Sequence, residues 1–292
     1  VRPILSQSLA GGLGNRMFEH LMALAILRRI PEMALTGKGL PEWAIRPPRL
    51  PLPGRHLKLT GNRVELDRLA YLINSGLVQG IETMALGMRM EYLGEAEAVR
   101  QVFRTPPGIQ PRLFPAGSLV ISVRGAEILG GIHKDYRPVP LAFYRRLLAE
   151  TGLAPVFLGQ LGEDAYSQAL LAAFPQATFV PSLGPMEDFA ALRAARHLVV
   201  SVSTFSWLAC WLSEAETIHL PILGMYHPRR RADIDLLPLT DPRYRFHLLP
   251  HDPWTGGAAE MAAVLEGAEA GAPIDPMALL PMAHPSVVLE AG

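Results

Sequence analysis

From residue 118 onward, short apolar runs alternate with longer stretches whose apolar positions recur every three to four residues. The runs Ser118–Val123, Pro155–Leu158, Thr178–Val180, His197–Val202 and Thr217–Leu220 have strand length. Between them, Leu141–Glu150, Glu163–Phe174, Met186–Arg196 and Phe205–Glu214 carry helical periodicity. This alternation predicts an α/β architecture with parallel strands, and a Rossmann-like unit in this half. The first half gives one clear strand, Ile4–Leu9, and a helix with apolar positions at Met17, Leu21, Leu24 and Ala25. A second helix is expected over Arg63–Asn74. The proline-rich stretch PEWAIRPPRLPLPGRH must be loop, because proline lacks the N–H donor and fixes φ. A second such stretch, RTPPGIQPRLFPAG at 104–117, separates the halves. The expected organisation is an N-terminal domain over 1–115, a second domain over 116–250, and an Ala-, Gly- and Pro-rich tail over 251–292.

Length and composition narrow the partners. A chain of 292 residues holds about two domains of roughly 100–200 residues. With 27 acidic and 27 basic side chains it lacks the basic excess of a general nucleic-acid binder, so no nucleic acid partner is expected. Apolar runs are broken before about 18 residues, and no leader pattern opens the chain. No membrane span is therefore expected, although peripheral association stays open. Cys210 is the lone cysteine, so neither an internal disulfide nor a cysteine metal cluster is available; a cytoplasmic protein is expected.

Three stretches carry candidate chemistry. In SLAGGLGNRMF a strand runs into Gly11, Gly12 and Gly14 and then a helix, a turn that lets a ligand approach bare backbone at a helix N-terminus. A dinucleotide fingerprint would need a third glycine where Met17 stands, and Glu32 as its ribose-reading acid lies outside any evident strand. In HLVVSVSTFSWLACWLSEA a strand ends at Ser201–Thr204 and a helix follows. Ser203 or Thr204 can cap that helix or hold a phosphate. In SLVISVRGAEI an apolar strand delivers Arg124 at its carboxyl end, where open α/β sheets bind ligands and a planar guanidinium suits a diphosphate.

Together these residues resemble the α-1,2-fucosyltransferases of glycosyltransferase family 11. Gly11-Gly12-Leu13-Gly14-Asn15-Arg16-Met17-Phe18 is close to that family's GGLGNQMF, and Ser203-Thr204-Phe205-Ser206-Trp207 matches its STFSWW up to the last Trp. Asp188 falls where the family carries an acid before the final strand. The resemblance implies a GT-B-like fold, two Rossmann-like domains with mainly parallel sheets facing a cleft, the acceptor held mainly by the first domain and the donor by the second. It implies inverting transfer of a sugar, fucose from GDP-fucose, to a glycan hydroxyl, with nucleotide sugar and glycan acceptor as partners. Donor-binding residues carried over are Gly12, Gly14, Arg124, Asp188, Ser203, Thr204, Phe205 and Ser206. The chain departs from the family's H-x-R-R-G-D. Here Ser122-Val123-Arg124-Gly125-Ala126-Glu127 keeps only the first arginine, so the diphosphate contact is retained while the guanine contact loses its His.

Transfer places charge on the leaving phosphate, which a metal, a cation or helix amides can stabilise. The lone Asp-x-Asp, Asp233-Ile234-Asp235, follows Arg229-Arg230-Arg231 in a stretch read as solvated loop, so metal-independent transfer without a cofactor is expected. Arg124 and the amides and hydroxyls of 203–206 then do the electrostatic work, with Asn15 as a donor to the sugar or phosphate. Glu127, His133 and Asp135 in the loop EILGGIHKDYRPVP are the candidates for general base. Trp207 and Trp211 read as core, and His197, His219 and His247 lack ligand spacing. Two other classes stay open: a catalytically silent nucleotide- or glycan-binding relative, and a dinucleotide-dependent oxidoreductase.

Overall fold

The computed structural model describes residues Arg2–His284, and these fall into two compact units. The first comprises residues up to Pro106 together with Asp233–Leu236, and the second Pro107–Ala232 with the chain from Leu237 onward.

In the first unit, β1 (Ile4–Gln7) leads into α1 (Leu13–Arg29), followed by β2 (Ala34–Gly37), β3 (His56–Leu59), α2 (Leu66–Asn74), β4 (Gly80–Thr83), α3 (Met90–Leu93) and α4 (Ala96–Val102). The four strands form a wholly parallel sheet in the order β2-β1-β4-β3. The core joins Leu5 and Ile81 of the sheet to Met22, Ala23 and Ile26 of α1 and Leu69 and Ile73 of α2. The proline-rich stretch is loop, apart from one turn of 3₁₀ helix at Pro41–Trp43 and its last residue, His56, which opens β3.

The second unit holds β5 (Ser118–Val123), α5 (Leu141–Thr151), β6 (Ala154–Gly159), α6 (Ala165–Ala173), β7 (Thr178–Pro181), α7 (Pro185–Ala194), β8 (His197–Val199), α8 (Thr204–Trp211), β9 (Thr217–Ile222), β10 (Tyr244–Leu248), α9 (Ala258–Glu266), β11 (Ala272–Ile274) and α10 (Pro276–Ala283). Its seven strands are ordered β11-β10-β9-β8-β5-β6-β7, parallel except for β11. All six residues of β5 are buried, the condition of a central parallel strand covered on both faces. Every residue of α8 but Phe205 is buried, which is why its sequence is apolar all round, and Trp207 stacks on Trp211 at 5.6 Å. Both units are therefore α/β with parallel, Rossmann-like sheets.

The stretch expected as a separate tail is, as far as His284, part of the second unit, because β11 extends the sheet through antiparallel pairing with β10. Residues 285–292 of that expected tail lie outside the described residues. The strand expected over His197–Val202 stops at Val199, since Ser201 and the residues beyond it turn into α8.

Candidate functional site

The chain runs outward from β5 through β6 to β7, then returns to lay β8 on the other side of β5 and continues outward through β9 and β10. The connections leaving β5 and β8 thus diverge, and in open α/β sheets ligands bind outside the carboxyl ends of the strands at such a switch point. Arg124 directly follows β5, and Ser203 and Thr204 open α8 after β8. A buried chain of hydroxyls crosses the switch: Ser122 Oγ lies 3.1 Å from Ser201 Oγ, which lies 2.9 Å from Ser206 Oγ.

Around Arg124 the sequence-predicted residues 124, 127, 133 and 135 converge. Its guanidinium donates to Glu127 at 2.9 Å and lies 4.8 Å over the ring of Tyr136. His133 meets the same ring edge-on, and its Nδ1 accepts from the Asp135 N–H at 3.2 Å. Asp135 is buried, and its two carboxylate oxygens accept from Arg230 Nε at 2.7 Å and Arg231 Nη1 at 3.0 Å. That occupation makes Asp135 an anchor for the arginine loop rather than a base, and it corrects the reading of Arg229–Arg231 as solvated. Only Arg229 is exposed, and Arg230 Nη2 is buried with no hydrogen-bond partner. The 3₁₀ turn at Gly224–Tyr226 docks beside it, Met225 N–H donating to Asp135 O at 3.0 Å. Gly224 sits at φ +55°, and a Cβ there would fall 2.3 Å from that carbonyl.

The α8 residues are more internal than phosphate ligation by hydroxyls requires. Ser203 is the N-cap, its side chain accepting from Ser206 N–H at 3.5 Å, and its own N–H donates to the Tyr226 hydroxyl at 3.1 Å. Burial pushes the Tyr226 phenol well above its usual range, so it stays protonated and donates to the carbonyl of Ser203 or Ser201. Ser206 and Thr204 are buried, and Phe205 tilts against Phe189 of α7. The residues fix the helix start at the switch point, leaving the positive end of α8 as the feature that favours an anion. Asp188 lies in the first turn of α7, where it accepts from Ser182 Oγ at 2.5 Å and Leu183 N–H at 3.4 Å; desolvation raises its carboxyl above the usual value. Tyr136 lies in the loop already singled out for Glu127, His133 and Asp135 but has no signature of its own, and Tyr226 and Arg230 reach Ser203 and Asp135 only through folding.

In the first unit, Gly12 is the N-cap of α1, with no side-chain cap, and Gly11 takes φ +79°. Gly14 is buried in the first helical turn and Asn15 is half-buried. The turn is held by a residue the motif did not single out. Glu19 of α1 is buried and accepts from the N–H groups of Ser8 at 2.7 Å, Leu9 at 2.6 Å and Ala10 at 3.1 Å. Glu32 sits in the turn before β2, whereas a ribose-reading acid belongs at the strand's carboxyl end, here Gly37-Lys38, so Glu32 is not placed for that role. Asp233 accepts from Asn62 Nδ2 at 2.8 Å within the same unit. Among the described residues no three His, Cys, Asp or Glu side chains group to hold a metal ion, and no helix is long and apolar enough to cross a membrane.

No family model and no curated protein matches the sequence. Among solved structures, the NodZ α-1,6-fucosyltransferase soaked with GDP-fucose aligns over 74% of this chain and 94% of its own, at 15% identity and a TM-score of 0.42. FUT1 of Arabidopsis thaliana in complex with GDP aligns over 94% and 74%, at 10% identity and a TM-score of 0.44. ADP-heptose LPS heptosyltransferase II of E. coli aligns over 90% and 98%, at 13% identity and a TM-score of 0.44. Likenesses this loose decide nothing about chemistry, which rests on the residues.

Proposed function

We propose that this protein is a nucleotide-sugar-dependent glycosyltransferase of GT-B form, transferring a sugar with inversion to a glycan hydroxyl, with GDP-fucose as donor. The observation that carries the reading is the placement of Arg124 and the N-terminus of α8 on opposite sides of the β5/β8 switch point. The start of α8 is a stretch of this unit that resembles the α-1,2-fucosyltransferases, and Arg124 is the one arginine kept from their H-x-R-R-G-D. As the anomeric C–O bond breaks, its electron pair goes to the leaving diphosphate, and a fixed cation and helix dipole stabilise that charge without reorganising. Arg230, with a buried unsatisfied donor, is a second cation for the same charge, standing in for the motif arginine replaced by Gly125. Glu127 or His133, both solvent-accessible beside Arg124, takes the acceptor's proton. The reaction needs no metal in this scheme.

Titration calorimetry with GDP, UDP and ADP tests the donor site, and turnover of GDP-fucose in excess EDTA, with the product anomer determined, tests the chemistry. Nucleotide binding with metal-independent inversion is expected. Turnover lost on chelation and restored by Mn²⁺ overturns the metal-free scheme. One observation favours a catalytically silent binding protein instead: the acid at 135 is fully engaged by arginines. Nucleotide binding without turnover of any GDP- or UDP-sugar supports that second reading.

A further inference from the structure

At the carboxyl ends of β1 and β2 the first unit has an open cavity of about 880 Å³ that the donor chemistry does not use. Its floor is Ser6-Gln7-Ser8 and Thr36-Gly37-Lys38, and its wall is the proline-rich loop from Pro41 to Leu52. Three cations line it, Lys38, Arg46 and Arg49, and no Asp or Glu does. Among the described residues none of the three side chains has an ion pair, whereas most other arginines of the first unit are paired with acids or carbonyls.

The loop that carries two of these cations is not loosely draped. Thr36 Oγ1 donates to Pro48 O at 2.7 Å and accepts from Leu50 N–H at 2.8 Å, so one buried hydroxyl pins the backbone on both sides of Arg49. Pro47 and Pro48 fix φ between Arg46 and Arg49. On the opposite side Gln7, also buried, donates from Nε2 to Lys38 O at 2.6 Å. Three like charges held around one concavity without a counter-charge repel one another and concentrate positive potential there, an arrangement relieved by an anion. The volume lies in the upper range for small-ligand sites, too large for a lone phosphate. No aromatic ring lines it to stack a base, and the walls of proline and aliphatic side chains with serine hydroxyls at the floor suit a sugar's mixed surface.

We infer that this cavity binds a saccharide bearing a negative charge, a carboxylate or a phosphate, and that the acceptor glycan is therefore acidic; the binding stands on the cavity alone, while its role as acceptor rests on the glycosyltransferase reading. Guanidinium groups pair with both anions in bidentate fashion, so the cavity's chemistry is shared between the two sources.

The experiment is titration of the whole chain with three probes: a disaccharide ending in glucuronate, the same disaccharide ending in a sugar phosphate, and the uncharged disaccharide. At least one charged probe is expected to bind tenfold or more tightly than the uncharged one, and which of the two does so identifies the source. Arg46 and Arg49 are exposed, so the double variant R46Q/R49Q keeps the fold, checked by circular dichroism. It is expected to lower affinity for the charged probe at least tenfold and leave the uncharged probe as it was. The double variant R46K/R49K retains part of the gain. Equal affinity for charged and uncharged probes, no binding of any probe, or an unaltered R46Q/R49Q affinity overturns the inference. GDP titration of the same samples separates the two proposals. Loss of GDP binding with acidic-saccharide binding intact removes the transferase reading alone, and the converse removes the acidic-ligand site alone.

Discussion

Arg124 is positioned by its own strand end, by the Tyr136 ring and by Glu127, and only about a fifth of its side chain is exposed. Its truncation in Arg124→Ala is expected to weaken nucleoside diphosphate binding by about 1.5–3 kcal/mol, the range for hydrogen bonds to charged groups. Titration calorimetry checks this, and unchanged affinity removes Arg124 from the site. Other residues govern stability rather than binding. Burial lowers His20 to about 4, His219 to about 3 and His247 to about 4, desolvation being the first cause in each. Arg146 Nη2 donates to His247 Nδ1 at 3.0 Å, so His247 donates from Nε2 to His219 Nδ1, also at 3.0 Å. A proton added to either ring sets donor against donor. Because these folded-state values lie below the usual 6.5, the unfolded chain binds more protons between pH 6.5 and about 4, and stability falls as pH falls through that window. Each histidine contributes up to about 1.4 kcal/mol per pH unit there. Denaturant unfolding at pH 7 and pH 5 is expected to show this loss, and His20→Gln, which has no proton to take up, is expected to reduce it.

The element most dependent on a single side chain is the β1–α1 turn, where Leu9 takes φ +48° and three successive N–H groups converge on Glu19. A left-handed conformation at leucine is unfavourable by about 1–2 kcal/mol, and the carboxylate holds it in place. Glu19→Ala leaves the buried Leu9 N–H without its acceptor, worth about 1–3 kcal/mol, and removes bonds from the half-buried Ser8 N–H, which keeps Thr83 O at 3.1 Å, and from the exposed Ala10 N–H. We expect a loss of about 2–4 kcal/mol by denaturant unfolding, and a loss under 1 kcal/mol would show that the turn holds itself. The same turn shows how far the sequence could be read. Its glycines announced a strand-to-helix turn because glycine there has a steric reason, but Glu19 looked like any helix residue, since its partners are backbone groups that carry no sequence signature. The strands of the second unit were legible because Ser118–Val123 and Thr217–Ile222 are mostly apolar, each broken inside by short or single polar positions such as Ser122 and His219. By contrast, β2 has only two apolar residues before Thr36 and Gly37, β3 and β4 are broken by Lys58 and Glu82, and β10 includes Arg245 and His247 within its run. At the site, Arg124 was legible from a strand end, whereas Arg230 was not, because its partner Asp135 lies 95 residues away.

At the scale of the whole chain, the first unit is not a contiguous piece of sequence, for Asp233–Leu236 returns to complete it. The return is specific. Met90 N–H donates to Asp235 O at 2.9 Å and Asp235 N–H to Met88 O at 2.9 Å, a short parallel bridge, and Arg89 Nη1 reaches Asp233 O at 3.3 Å. Asn62 contributes at both ends of its amide, donating to the Asp233 carboxylate and accepting from Met88 N–H at 3.2 Å. Ile234 and Leu236 are buried, and each such side chain contributes about 1.5–3 kcal/mol when removed from water. Against the roughly 5–15 kcal/mol that stabilises a domain, loss of these two side chains and their backbone bonds is a large fraction. The same segment is the Asp-x-Asp that attracts a metal reading, and its engagement with Asn62 and the 88–90 backbone gives it a structural task. A fragment ending at Pro106 is therefore expected to lack cooperative thermal unfolding. The same fragment followed by a flexible Gly/Ser linker and residues 233–236 is expected to regain it. In the whole chain, Asn62→Ala, which deletes both amide contacts, is expected to lower the unfolding midpoint while leaving GDP affinity unchanged, since that ligand is assigned to the second unit. Cooperative unfolding of the short fragment at the midpoint of the linked one would show that 233–236 contributes nothing to the first unit's stability.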